Sequence, residues 1–256
     1  MNRIAILIAV LLLLAPTAAR ADDTTLPWQL RPVTIGTGVR IDGAAAAFND
    51  PKGNLDLAAI TTFTASYQLS DDWAPMLRLG LVGNNAPGAA LDGSAVANPL
   101  VGVTCARRRG SYRFAVFGGV TLPIGTGNTT SHAASMTARP ADRALFDDDM
   151  AGLAGVDVAW TRRGFTAQGE ATLASTGAAA GVHVGYRIGR HVAIGGDLHY
   201  DHTLTAAAGV RLHHAVGGTW IRPGIAYLRG LDRRGLDAPF LTAQTNAVLL
   251  DLPMAF

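Results

Sequence analysis

Residues Gly181 to Asp201 read GVHVGYRIGRHVAIGGDLHYD, and the pattern of this stretch decides the architecture. Val182, Val184, Tyr186 and Ile188 alternate with His183, Gly185 and Arg187. After Gly189-Arg190-His191 the alternation resumes, with Val192, Ile194, Leu198 and Tyr200 set against Asp197, His199 and Asp201. A period of two is the mark of an extended strand with one apolar and one polar face. Two such strands joined by a short glycine-containing turn make an antiparallel hairpin, with His183 opposite Asp197.

The same period runs outward in both directions. Leu57, Phe63, Tyr67 and Leu69 alternate with Asp56, Thr62, Thr64 and Gln68; Leu77, Leu79 and Leu81 alternate with Arg78 and Gly80. About twelve segments of this kind run from Val33 to Phe256, an even number that suits a closed antiparallel barrel. Short turns fall at Ser70-Asp71-Asp72, Arg108-Arg109-Gly110, Arg162-Arg163-Gly164, Gly189-Arg190-His191 and Val216-Gly217-Gly218. Most of the connections between them are longer: 43–54, 84–97, 125–149 and 230–244. Short turns at one end and long loops at the other belong to outer-membrane barrels, whose short turns face the periplasm.

Composition narrows the classes further. Of 256 residues, 49% are hydrophobic and 16% charged, which excludes a disordered chain. A lone cysteine, Cys105, excludes a disulfide framework and the multi-cysteine metal modules. Past residue 20 no apolar run reaches the roughly 18 residues of a spanning helix, so the apolar residues must sit on strands. The start differs: basic Met1-Asn2-Arg3, apolar Ile4 to Pro16, then Ala19-Arg20-Ala21, a small-x-small cleavage site. Residues 1–21 read as a secretory signal peptide and residues 22–256 as one barrel domain. Without Arg3 and Arg20 the net charge of +2 vanishes, so no nucleic-acid partner is expected.

The last strand places Val248, Leu250, Leu252, Met254 and Phe256 on one parity. A terminal alternating strand closed by a phenylalanine resembles the recognition strand of proteins inserted by the barrel-assembly machinery, which makes Phe256 the expected assembly signal. Aromatics belong at the two membrane boundaries. Tyr67, Trp73, Tyr112, Trp160 and Tyr186 are expected at the periplasmic boundary, and Tyr200 and Tyr227 at the outer one.

Three stretches carry a family resemblance: Asn98-Pro99-Leu100-Val101-Gly102, Phe117 to Gly125 (FGGVTLPIG), and Trp220-Ile221-Arg222-Pro223-Gly224. They resemble the outer-membrane proteins linked to the meta-pathway of phenol degradation. The family more often has Thr at the position of Ile124 and an aromatic near Cys105. The resemblance implies a β-barrel transporter for an aromatic or otherwise hydrophobic solute, and assigns no binding residue.

The inward parity collects the lumen-lining candidates Arg40, Arg78, Glu170, His183, Asp197, His199, Arg211, His213, Arg222 and Asp251. Both signs are present, so strong ion selectivity is not expected. Inward glycines such as Gly36, Gly80, Gly119, Gly185, Gly195 and Gly209 should leave the lumen open. The hairpin turning at Val216-Gly217-Gly218 puts Arg211 about opposite Arg222, with His213 near Trp220, which calls for an acid between the arginines, Asp251 or Glu170. A mutually neutralised network bracing the wall is the structural alternative to a solute site.

Enzymatic barrels offer two further comparisons. Asp197-Leu198-His199 resembles the Asp-x-His pair of omptin proteases, with only Asp147-Asp148-Asp149 available as the second acidic group. The His-x-Ser-Asn-Gly stretch of outer-membrane phospholipases is absent; His132-Ala133-Ala134-Ser135 does not reproduce it. His183, His199 and His213 stand at different heights along the wall, so no metal site is expected, and no cofactor. The expectation is an all-β antiparallel transmembrane barrel of about twelve strands in the outer membrane of a Gram-negative bacterium. It is monomeric and not an enzyme, contacts outer-membrane lipid, and passes a small-molecule solute, with 125–149 as the candidate lid. A structural or adhesive barrel with a plugged lumen is the alternative.

Overall fold

The computed structural model describes residues 25–31, 36–49, 55–85, 93–125, 145, 150–175, 177–201, 203–216, 219–231 and 246–255. The expected signal peptide over 1–21, the start of the first strand near Val33, Asp147 to Asp149 and the terminal Phe256 lie outside them.

Alternation becomes strands almost residue for residue. They are β1 (Gly38–Asn49), β2 (Leu55–Ser66), β3 (Trp73–Asn85), β4 (Gly93–Val96), β5 (Leu100–Arg109) and β6 (Tyr112–Thr121). Next come β7 (Gly152–Arg162), β8 (Phe165–Ala174), β9 (Gly177–Ile188), β10 (Val192–Asp201) and β11 (Thr203–Leu212). The last are β12 (His214–Val216), β13 (Thr219–Ile221), β14 (Gly224–Gly230) and β15 (Asn246–Ala255). Every pairing among the described strands is antiparallel, and β1 pairs with β15 from Gly38↔Ala255 to Ala47↔Asn246, which closes the sheet on itself. Three staves are broken in two (β4 with β5, β11 with β12, β13 with β14), so the fifteen segments form a twelve-strand barrel.

Two of the breaks fall at a proline. Pro99 and Pro223 have no N–H to give the ladder, as do Pro75 and Pro253, which lie inside the unbroken β3 and β15. Around Pro99, Asn98 takes up the slack: its amide donates to Leu145 O at 2.9 Å and its Oδ1 accepts from Gly125 N at 2.8 Å. Around Pro223, the Leu212 amide donates to Pro223 O at 2.8 Å and the Arg222 amide to Pro253 O at 2.9 Å.

Two long connections are shorter than expected. Strand β1 continues past Gly43 to Asn49, and β4 lies within 84–97. The register near the C-terminus also differs. Val216 pairs with Thr219, a register that sets Arg211 against Gly224 rather than Arg222. The expected Arg211–Arg222 confrontation is therefore off by two residues, while Arg211 does bond Asp251, one of the two acids expected beside it.

The two faces of the wall are opposite in character. Val182, Val184, Tyr186 and Ile188 face outward and are about half exposed, while His183 between them is 1% exposed. Outward Val101, Val116, Val156, Leu198, Ile225 and Leu250 continue this apolar exterior around the barrel. Tyr67, Trp73, Tyr112 and Tyr186 are exposed beside the short turns; Trp160 pairs with Tyr112 in register and meets Phe165 edge-on at 5.8 Å. Tyr200 and Tyr227 are exposed further from those turns, and the Tyr227 hydroxyl donates to Asn246 Oδ1.

The Arg162-to-Phe165 turn holds Arg163 at φ 49° and Gly164 at φ 81°, the left-handed pair of a type I′ hairpin. Arginine tolerates that region poorly, asparagine better. Arg163→Asn is expected to raise stability by about 0.5–1 kcal/mol and Arg163→Val to lower it by about 1 kcal/mol or more. Urea midpoints of the detergent-solubilised barrel read both.

Candidate functional site in the barrel lumen

The lumen is not empty. Residues Thr25 to Leu30 lie buried inside the barrel, and Arg31 follows partly buried. Sequence reading had nothing to say about this segment, which precedes the first strand and has no period. A non-strand segment inside a barrel must find partners for its backbone groups, since none comes from a ladder.

The wall supplies them. The Trp28 and Gln29 amides both donate to Asp197 Oδ2, each at 2.7 Å, and the Thr25 amide donates to Thr166 Oγ1 at 3.0 Å. The Arg31 amide donates to Glu170 Oε2 at 2.7 Å. On the acceptor side, Arg40 Nη2 donates to Pro27 O at 3.1 Å, Arg211 Nη1 to Leu26 O and Gln168 Nε2 to Arg31 O. Hydrogen bonds to ionised groups are the stronger kind, and Asp197, Glu170, Arg40 and Arg211 all contribute.

Side chains lock the segment in the same way. Thr25 Oγ1 lies 2.8 Å from His183 Nε2, and His183 Nδ1 lies 2.6 Å from Asp197 Oδ1, so a single chain of contacts joins the segment to β9 and β10. The Arg211 guanidinium sits 4.1 Å over the Trp28 ring, and that of Arg31 3.9 Å over Phe117. Phe117 points inward on β6 while Tyr112, Phe114 and Val116 point outward; parity alone identifies it as lumenal.

Inward glycines make the room. A Cβ on Gly224 would stand 2.6 Å from Trp28 Cη2, one on Gly185 2.1 Å from Thr25 Oγ1, and one on Gly181 3.0 Å from Leu30 Cγ. The expectation that lumenal glycines leave an open channel is corrected: at these three positions the N-terminal segment occupies the space. Trp28 joins a buried apolar cluster with Ile60, Val82, Leu100, Leu145, Leu153, Leu228 and Leu249. Leu145, the described residue of 126–149, stands inside the barrel near Gly80. The rest of that candidate lid lies outside the described residues.

Every lumen-lining candidate lies at least partly buried on the inward side. Arg40 bonds Asp42 at 2.6 Å and Asp251 at 3.2 Å; Arg211 also bonds Asp251. Arg78 donates to Thr62 Oγ1 at 3.2 Å and stands 3.9 Å from Asp42. Glu170 faces Asp157 across β7 and β8, and Arg31 at 3.4 Å supplies the cation that two adjacent acids call for. His213 and Arg222 sit one step beyond the His214–Ile221 pair, both buried. Asp197 and His199 share the inward face of β10. Both carboxylate oxygens of Asp197 are taken by His183, Trp28 and Gln29, so an Asp-x-His pairing does not form. Among the described residues no three His, Cys, Asp or Glu side chains gather closely enough for a metal ion.

A cavity of about 200 Å³ remains between the segment and the short-turn end of the wall. Arg40, Arg78, Trp220 and Arg222 line it from the wall, and Leu26, Gln29, Leu30 and Arg31 from the segment. This is below the roughly 300–1,000 Å³ of pockets for drug-sized ligands.

Asp197 is the main anchor of the segment. Asp197→Ala would leave two buried amides and Nδ1 of His183 unpartnered, at a cost of about 3 kcal/mol. The expected outcome is a lower denaturation midpoint together with loss of hydrogen-exchange protection at Trp28 and Gln29. Unchanged protection at those amides would mean that the contact does not hold the segment.

No family model matches this chain, and no curated protein matches it in sequence. Among solved structures, an outer membrane channel from Pseudomonas putida F1 is similar at TM-score 0.52 and 12% identity, over 94% of this chain and 100% of that one. The KdgM porin is similar at TM-score 0.52 and 8% identity, over 85% and 99% of the two chains. The NanC porin is similar at TM-score 0.52 and 12% identity, over 85% and 98%. At such identities the likeness is one of fold: the chain shares the closed antiparallel barrel of these proteins.

Proposed function

We propose that this chain is a channel of the Gram-negative outer membrane that passes a small solute. The observation that carries this reading is a closed twelve-strand wall, apolar outside and charged inside, that encloses a cavity of about 200 Å³. An exterior of exposed valine, leucine and isoleucine on alternate residues is costly in water and suited to lipid. The solved structures that share the fold are an outer membrane channel and two porins, which favours the same location and task.

Several finer points belong to the same reading. Residues 1–21 are the export signal, Phe256 the signal to the barrel-assembly machinery, and the mature barrel is a monomer without catalytic activity or cofactor. The solute has an aromatic or otherwise hydrophobic body, as the resemblance to the phenol meta-pathway proteins implies. Tyr67, Trp73, Tyr112, Trp160, Tyr186, Tyr200 and Tyr227 sit at the membrane boundaries. Residues 25–31 act as the constriction, and passage requires their displacement.

A second reading has its own observation. Because the segment occupies the lumen and its Trp28 joins the buried apolar cluster of Leu228, a barrel plugged for good, structural or adhesive, also accounts for the interior. Deleting residues 25–31 separates the two. In a channel the deletion is expected to raise single-channel conductance in planar bilayers several-fold, and to speed swelling of liposomes in a small neutral sugar. No current above bare bilayer from either protein, with no swelling, would leave only the plugged barrel.

A further inference from the structure

The guanidinium groups around the cavity outnumber the carboxylates that answer them. Asp42 is taken by Arg40, with Arg78 at 3.9 Å. Asp251 is shared by Arg40 and Arg211, and Glu170 is bound by Arg31. Among the described residues Arg222 is the cation left over. It is 7% exposed, lines the cavity, and its side chain makes no hydrogen bond or ion pair with a described residue; its Nε is buried without an acceptor. Neighbouring groups do not relieve it: Arg113 and Arg187 stand within electrostatic reach and share its sign. His213, 2% exposed, also buries a ring nitrogen, Nε2, without a partner. A buried charge with no counter-charge is costly, and a mobile anion is the simplest group to remove that cost.

The rest of the lining says what kind of anion. Trp220, Met76, Leu100 and Leu26 share the cavity with the arginines, so a site for a hydrated inorganic ion would waste apolar surface. The volume limits the occupant to a small molecule. Resting on the channel reading above, we propose that the cavity is a recognition site for a small monocarboxylate. Its carboxylate would lie against Arg222 and its apolar body against Trp220, Met76 and Leu100. Planar guanidinium and carboxylate pair through two parallel hydrogen bonds, which favours this acid group. The channel would then prefer anions at this constriction, although the lumen carries both signs overall.

Benzoate and its uncharged isostere benzamide test the proposal by isothermal titration into the folded, detergent-solubilised protein. Benzoate is expected to bind saturably and benzamide not. Arg222→Gln is expected to weaken benzoate at least about tenfold, since a hydrogen bond to a charged group is lost. Arg222→Lys should retain part of the binding, and heat-modifiable gel migration checks that each variant is a folded barrel. Equal binding of benzamide, or undiminished benzoate binding by a folded Arg222→Gln, would overturn the proposal. So would binding of inorganic phosphate in preference to benzoate. Liposome swelling keeps the two readings apart: sugar flux without benzoate binding sinks the monocarboxylate site alone. Benzoate binding that depends on Arg222, without flux from the wild type or the 25–31 deletion, sinks the channel alone.

Discussion

One carboxylate organises the interior. Asp197 accepts from His183 on the neighbouring strand and from two successive amides of the N-terminal segment. An acid buried behind an apolar wall must be matched, and here the match is made by chain that does not belong to the wall. The same logic repeats at lower intensity. Glu170 is matched by Arg31, and the carbonyls of Leu26 and Pro27 are matched by Arg211 and Arg40. Wall and segment are each incomplete electrostatically, and together they are nearly satisfied.

That reciprocity separates two kinds of occupancy in a barrel interior. Toward the long connections the interior is closed by apolar contacts among Ile60, Val82, Leu145, Leu228 and Leu249, which are indifferent to what carries them. Around Trp28 the closure is polar and specific, a set of hydrogen bonds with fixed donors and acceptors. Polar closure can be exchanged for hydration or for a solute with matching groups, whereas apolar closure opens only by moving bulk. The cavity lies beside the polar part, among Arg40, Arg78 and Arg222, which is where exchange costs least.

Much of the fold was legible from spacing. Strict alternation across 181–201 gave both strands and the His183–Asp197 pair, and the parity of β6 shows Phe117 to be lumenal. The broken staves were not legible: Pro99 and Pro223 fall at breaks, but Pro75 and Pro253 lie inside the unbroken β3 and β15, so a proline by itself does not mark one. Register near the C-terminus was less legible. A slip of two residues preserves which face every side chain takes, so alternation is blind to it, and only the pairing of Val216 with Thr219 shows Arg211 set against Gly224.

The lumenal segment was not legible at all. Thr25 to Arg31 has no period, and its Leu-Pro-Trp core reads equally as a linker; its burial depends on glycines at 181, 185 and 224 that lie some 150 to 200 residues away in the chain. Covalent geometry and side-chain alternation act over neighbouring residues, and they were enough to establish the strands, their faces and the closed wall. What fills that wall is decided by where distant donors, acceptors and gaps come together once the sheet has closed, and this exists only in three dimensions. Lumenal charge could be counted from the residues, but which arginine remained without a partner was a matter of distance, and distance came with the fold.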